Sequence, residues 1–441
     1  MPHVRRGLAA AFLGLLLVAA GSGLARERAP MDPLLRLLVR KGVITQEEAV
    51  ALQAEYEAAK HAATESARGS GTTAPAPVAA PAPAPAPAEK ASWTDRFTVK
   101  GDLRLRYEGF SKEGAYDGDR RDRFRIRLRA GFTATVTDWM LVGLQLRNGD
   151  PADPVSNNTS FDGAFQFKDF NLAEGYLQIR LSRGFGLVAG KFDAKKWWTV
   201  TDMQWDDDVT VEGIMTDVDL LRGDGAFRKL DLVAYGFLLE ELKGGPDANL
   251  YGGQLRTAFA LGGHNTVHAG AGFDWWDNPR QVADLTLSGT IRGNPVTNLL
   301  DENDRLVSDF EILNLFVTWT NSASATWPVK LRLFYYRNTG AKGPGADQDT
   351  AFFGRIQVGD STKKGQVAFR YSYYDSEPDA LFYVFTQSDT GRGSDVKAHR
   401  LDLRIGAWAR SYFNLTWYNT RPRYREDTTL NRWQVDYIVR F

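Results

Sequence analysis

From Arg123 to Arg129 the chain alternates arginine with Phe124, Ile126 and Leu128, and Phe132 prolongs the apolar set. A strand of period two puts four guanidinium groups on one face and an apolar stripe on the other. A helix would scatter both sets around its circumference and bury charge wherever it packed. The segment is therefore a two-sided strand with one wet face and one apolar face. Two settings suit it: an antiparallel sheet with one face in water, or a barrel whose apolar face meets lipid.

The rest of the chain points to the barrel. About sixteen alternating segments run from 97–108 and 122–136 to 411–420 and 432–441. Short turns (Thr137-Asp138, Ser182-Arg183-Gly184, Leu261-Gly262-Gly263-His264) take turns with long polar loops (109–121, 148–168, 276–308, 376–395, 421–431). One tight rim and one loopy rim is the outer-membrane barrel pattern. The last strand carries Trp433, Val435, Tyr437, Val439 and Phe441 on one face and Arg432, Gln434, Asp436 and Arg440 on the other, and the chain stops on an aromatic. Trp139, Trp275, Trp276, Trp319, Trp327, Trp408, Tyr412 and Trp417 cluster near strand ends, where an interfacial girdle is expected. The fold class is all-β: a transmembrane antiparallel barrel of about sixteen strands over 93–441.

Three segments precede the barrel. Residues 1–25 read as a signal peptide: Arg5 and Arg6, an apolar run from Leu8 to Ala20, then Gly23-Leu24-Ala25 as a cleavage site. Residues 26–70 read as a short helical segment in the periplasm, with Leu34, Leu35, Leu37 and Leu38 ahead of Gly42. There Thr45-Gln46-Glu47-Glu48 fits a capping box. Residues 71–92 are an Ala/Pro-rich linker, extended at about 3.1 Å per residue. This is the layout of an exported Gram-negative protein of the cell outer membrane.

Zero formal net charge over 441 residues gives no global attraction to nucleic acid, and the absence of cysteine excludes disulfides and thiolate chemistry. No metal or cofactor is implied. Asp301-Glu302-Asn303-Asp304 lacks the spacing of a calcium loop. His264, His268 and His399 have no Gly-x-Ser-x-Gly elbow beside them, so no enzyme is expected and no residue is assigned a catalytic role.

A lipid-facing arginine near the midplane costs roughly 2–4 kcal/mol, which sends the basic faces to the lumen. The expected pore-lining basic set is Lys100, Arg104, Arg106, Arg123, Arg125, Arg127, Arg129, Arg400, Arg404, Arg432 and Arg440, drawn into one arc by closure of the last strand on the first. The third long loop, about 193–211, carries Asp202, Asp206, Asp207 and Asp208, with Glu212 just beyond. Two readings of that acidic run stand. Folded inward, it faces the basic wall and sets a transverse field over a constriction. Left outside, it is a solvated loop that binds divalent cations or bridges lipopolysaccharide.

Lys41-Gly42-Val43-Ile44-Thr45-Gln46-Glu47-Glu48-Ala49, Gly190-Lys191-Phe192, Trp197-Trp198 and the run from Met203 to Gly213 resemble the bacterial putative porins. The resemblance implies a water-filled channel for passive diffusion of small hydrophilic solutes and ions, and a homotrimer. Two alternatives remain: an anion- or phosphate-selective porin, and an anchor tethering the outer membrane to peptidoglycan or a periplasmic partner through the N-terminal helix.

Overall fold

The computed structural model describes residues 39, 45–51, 53–54, 93–113, 120–424 and 428–441. The expected signal peptide, the linker and most of the N-terminal helical segment lie outside the described residues. Thr45 does form the expected capping box: its backbone N–H donates to Glu48 Oε2 at 2.7 Å, and the Glu48 N–H donates to Thr45 Oγ1 at 3.2 Å.

The chain from Glu89 onward forms its own compact unit. Its strands are β1 (Phe97–Glu113), β2 (Arg120–Thr137), β3 (Met140–Asn148), β4 (Thr159–Ser160), β5 (Phe170–Ser182), β6 (Phe185–Phe192), β7 (Val211–Arg222), β8 (Phe227–Glu240) and β9 (Ala248–Ala260). They continue as β10 (Asn265–Asp277), β11 (Glu311–Asn321), β12 (Val329–Asn338), β13 (Thr350–Gly359), β14 (Val367–Ser376), β15 (Val396–Trp408), β16 (Ser411–Arg421) and β17 (Thr429–Arg440). Sixteen long strands pair antiparallel in sequence order, and β17 returns to β1 from Asp102↔Arg440 to Glu113↔Thr429. The sheet has no free edge, so every strand's backbone is paired within the wall, which is what hydrocarbon demands.

The two-residue β4 belongs to a loop. β2 has 18 residues and β3 only nine, and β4 pairs with Arg125 and Ile126 above the top of β3. Strand pairing also runs farther into the first loop than 109–121 implied, because β1 continues to Glu113 and β2 starts at Arg120.

Period-two alternation sorts the wall. Leu105, Tyr107, Phe124, Leu144, Leu401, Ile405, Leu415 and Val435 are exposed outside. Asp102, Arg104, Arg106, Glu108 and Arg127 are buried although charged, because they point inward. Phe441 closes the seam: Gly101 and Phe441 exchange two backbone hydrogen bonds at 3.0 Å, and the aromatic ring lies where a Cβ at Gly101 would stand.

The interior is filled unevenly. On the β7–β14 side, Trp198 and Trp205 from the loop after β6 pack with Trp276 of β10, and with Phe310, Phe382 and Phe385 from two other loops. Trp198 and Trp205 meet edge-on at 5.4 Å, and Trp276 and Phe382 lie 4.8 Å apart. Trp276 therefore leaves the expected girdle for a buried aromatic plug. Tyr412 leaves it too, pointing inward beneath two arginines, whereas Trp139, Trp275, Trp327 and Trp408 stay exposed.

Candidate pore constriction

Strand parity fixes the basic wall. In the β1–β2 register Asp102 faces Arg129, Arg104 faces Arg127, Arg106 faces Arg125 and Glu108 faces Arg123, all on the inner side. Asp102 accepts from Arg127 Nη2 and Arg129 Nε, each at 2.7 Å. Glu108 pairs with Arg123 and lies 3.5 Å from Arg125. Arg106 donates from Nε to Asp436 at 2.6 Å across the closing seam. Arg400 on β15 pairs with Asp402 at 2.9 Å.

The loop between Phe192 and Val211 enters this ring of charge. The 3-10 turn Ala194–Lys196, capped by Asp193, redirects the chain as it leaves β6. Asp202 accepts from Arg355 Nη2 at 2.7 Å, Arg400 Nη1 at 3.2 Å and the Tyr374 hydroxyl at 3.0 Å. On the opposite side Asp208 lies 3.4 Å from Arg127 Nη1 and accepts from the Asn157 N–H at 3.0 Å. Asp206 accepts from the N–H and hydroxyl of Ser388 at 2.8 and 2.9 Å, which ties this loop to the one after β14. Asp207 is exposed.

Burial opposes ionisation of all three buried carboxyls, and their neighbours then separate them. Arg355 and Arg400 hold Asp202 below its ordinary value. Arg127, Arg104 and Arg129 hold Asp208 well below it. Asp206 has no ion-pair partner among the described residues, so burial, with the Asp208 carboxylate close by, pushes it well up.

Glu212 does not join this group. It sits on β7 with the parity of the exposed Ile214, and Lys191 donates to it at 2.6 Å on the outer side of the wall. Lys100 and Arg440 point inward but sit near the rim with the short turns, below the acidic loop. Arg432 pairs with Asp389 at 3.1 Å, and Arg404 lies against the Tyr412 ring.

Between wall and loops lies a polar cavity of about 430 Å³ lined by nine basic and six acidic side chains, among them Arg104, Arg404, Asp206, Asp207 and Asp389. Sequence reasoning missed Asp389, Arg355 and Arg370. The two arginines follow the same alternation as their strands and were legible from it. Asp389 lies in the 3-10 turn Ser388–Thr390, where no period marks an inward side chain. Of the three histidines in the barrel, His399 hydrogen-bonds the Tyr371 hydroxyl at 2.8 Å on the outer face. His264 stands in a turn, and His268 is on β10.

Residues 114–278 match the family described as putative porin. This span includes the segment from Gly190 to Gly213. OprB of Pseudomonas putida, in its high-pH structure, aligns with a TM-score of 0.50 at 10% identity over 78% of this chain and 94% of that one. OmpF of Salmonella typhi, in a complex with daunomycin, aligns with a TM-score of 0.47 at 9% identity over 78% and 97%. At 10% identity the likeness to OprB is one of fold. No curated protein matches the sequence.

Proposed function

We propose that this chain, an outer-membrane barrel whose residues 114–278 match the putative porin family, passes small hydrophilic solutes and ions by passive diffusion along an off-centre slot. The slot runs between the arginine wall and the acidic loop 193–210, and the aromatic plug packs on the β7–β14 side. The observation that carries this reading is the position of Asp202 and Asp208 inside the barrel. They are bonded to arginines of different walls, and a charged cavity lies beside them. A large apolar solute finds no dry surface along this path, while a small polar one exchanges hydration for fixed donors and acceptors.

Nine basic against six acidic lining groups favour anions weakly, since half of the eight lining arginines are already paired with carboxylates. Asp207 is the exposed carboxylate of the loop at the cavity and the best single handle on selectivity. In a planar bilayer under a KCl gradient the protein gives stepwise conductance with a small anion preference, and Asp207→Asn moves the reversal potential further toward anions. Absence of conductance, or a reversal potential indifferent to Asp207, overturns the reading.

A further inference from the structure

The arginines of the wall fall into two classes. Arg106, Arg123, Arg127, Arg129, Arg400 and Arg432 each hold a carboxylate. Arg104, Arg370, Arg404 and Arg440 line the same cavity, yet none of them has an ion-pair partner among the described residues. Arg104 is 8% exposed, and its Nε, like that of Arg370, is buried with no acceptor.

All four donate to neutral groups, Arg104 to Asn158, Arg370 to Gln357, Arg404 to Asn414 and Arg440 to Tyr412, and two of them are also held by an aromatic ring. Both stand over the ring of Tyr412, with the Arg404 Cζ 4.6 Å and the Arg440 Cζ 5.3 Å from its centroid. Arg440 Nη2 also reaches the Tyr412 hydroxyl at 3.3 Å. A carboxylate would fix an arginine by neutralising it. An aromatic ring fixes it by cation–π attraction and leaves its positive charge uncancelled and most of its in-plane N–H donors available. Below this clamp a second cavity of about 550 Å³, which shares Arg404, Tyr412 and Arg440, leads past Arg410 and Lys100 to the rim with the short turns.

We propose that Arg104, Arg370, Arg404 and Arg440, with Tyr412 as the positioning residue, form a binding site on the permeation path for a small oxyanion bearing two negative charges. Inorganic phosphate and a short dicarboxylate share the required chemistry, because each presents paired oxygens to guanidinium forks. Chloride, a single acceptor of one charge, cannot present paired oxygens to several forks at once. The inference rests on the channel reading above and gives it a substrate class.

The test uses the full chain in planar bilayers carrying KCl, with inorganic phosphate added on one side and succinate in a separate arm. A saturable fall in chloride current is expected. Tyr412→Leu leaves the lumen's charge untouched, so the KCl reversal potential stays while the half-blocking phosphate concentration rises about tenfold with loss of the cation–π contacts. Tyr412→Phe keeps the block. The double variant Arg404→Gln with Arg440→Gln raises the half-blocking concentration as well and provides the readout if Tyr412→Leu fails to assemble. Block by phosphate alone assigns the site to phosphate, and block by both probes assigns it to dianions in general. Conducting channels that phosphate and succinate leave unblocked, or a block that both Tyr412→Leu and the double variant leave unchanged, overturn the site while the channel stands. No conductance at all overturns the channel reading instead.

Discussion

Asp202→Asn is the sharpest perturbation of the constriction, because it removes one charge and almost no volume. The Asp202 carboxylate accepts from Arg355 at 3.0 and 2.7 Å, Arg400 at 3.2 Å, Tyr374 at 3.0 Å and Gln387 at 3.4 Å. Arg400 keeps Asp402 at 2.9 Å, but Asp202 is the carboxylate bonded to Arg355, whose side chain is only 12% exposed. Stripping the carboxylate from such a pair costs about 3–5 kcal/mol, since a buried cation is left uncompensated. At about 1.4 kcal/mol per factor of ten, departures of the loop from its docked position become roughly two to four powers of ten more frequent. Trp198, Trp205 and Asp208 still hold the loop, so its average position barely changes and the excursions carry the signal. Single-channel records should show unchanged main conductance with many more brief current fluctuations, and limited proteolysis should begin to cut within 193–210. Adding Arg355→Gln removes the orphaned cation and should return the noise most of the way to the wild-type level. Asp202→Asn channels as quiet and as protease-resistant as wild type would refute this account of how the loop is held.

Acid should act in two stages. Asp208 and Asp389 are held well below their ordinary values, so their stabilising contribution is complete above the ordinary carboxylate range and is lost as pH falls through the depressed values. Asp206 is pushed the other way: its contribution is present below the ordinary range and lost as pH rises through its raised value. As pH falls from neutral, protonation of Asp206 should therefore leave channel noise flat or lower it, and noise should rise only below the ordinary carboxylate range, as the ion pairs break. A steady rise in noise from neutral pH downward would contradict these signs. On the outer wall, Leu105→Arg near the middle of β1 should lower the unfolding free energy in lipid vesicles by about 2–4 kcal/mol. Equal denaturant midpoints for the variant and wild type would contradict assignment of this face to lipid.

The wall was legible in the sequence because one rule governs it. Alternation placed sixteen strands, turned Arg123 to Arg129 inward and assigned Phe124, Ile126 and Leu128 outward. The errors arose where that rule was not followed through or does not apply. Trp276 was grouped with Trp275 although the two have opposite parity, and parity alone puts Trp276 beside the buried Asp274. Glu212 was grouped with the acidic loop although it already belongs to β7 and shares a face with Ile214. The plug was not legible at all. Trp205, Phe382 and Phe385 come from loops without a period, and their meeting inside the barrel is a tertiary fact.

The same register that makes the wall legible also explains why loops must enter it. Arg104 stands opposite Arg127, and Arg106 opposite Arg125, so two successive pairs across β1 and β2 are like-charged and repel. The strands supply Asp102 and Glu108 at the two ends of this stretch and Asp436 from the neighbouring strand, which leaves the middle of the wall with too much positive charge. Asp208 from the loop after β6 and Asp389 from the loop after β14 reach that middle, at 3.4 Å from Arg127 and 3.4 Å from Arg106. Each loop carboxylate answers an excess the strands cannot cancel among themselves. The wall's charge thus favours docking of both loops inside the barrel, and the arginines left without a carboxylate are those of the proposed oxyanion site.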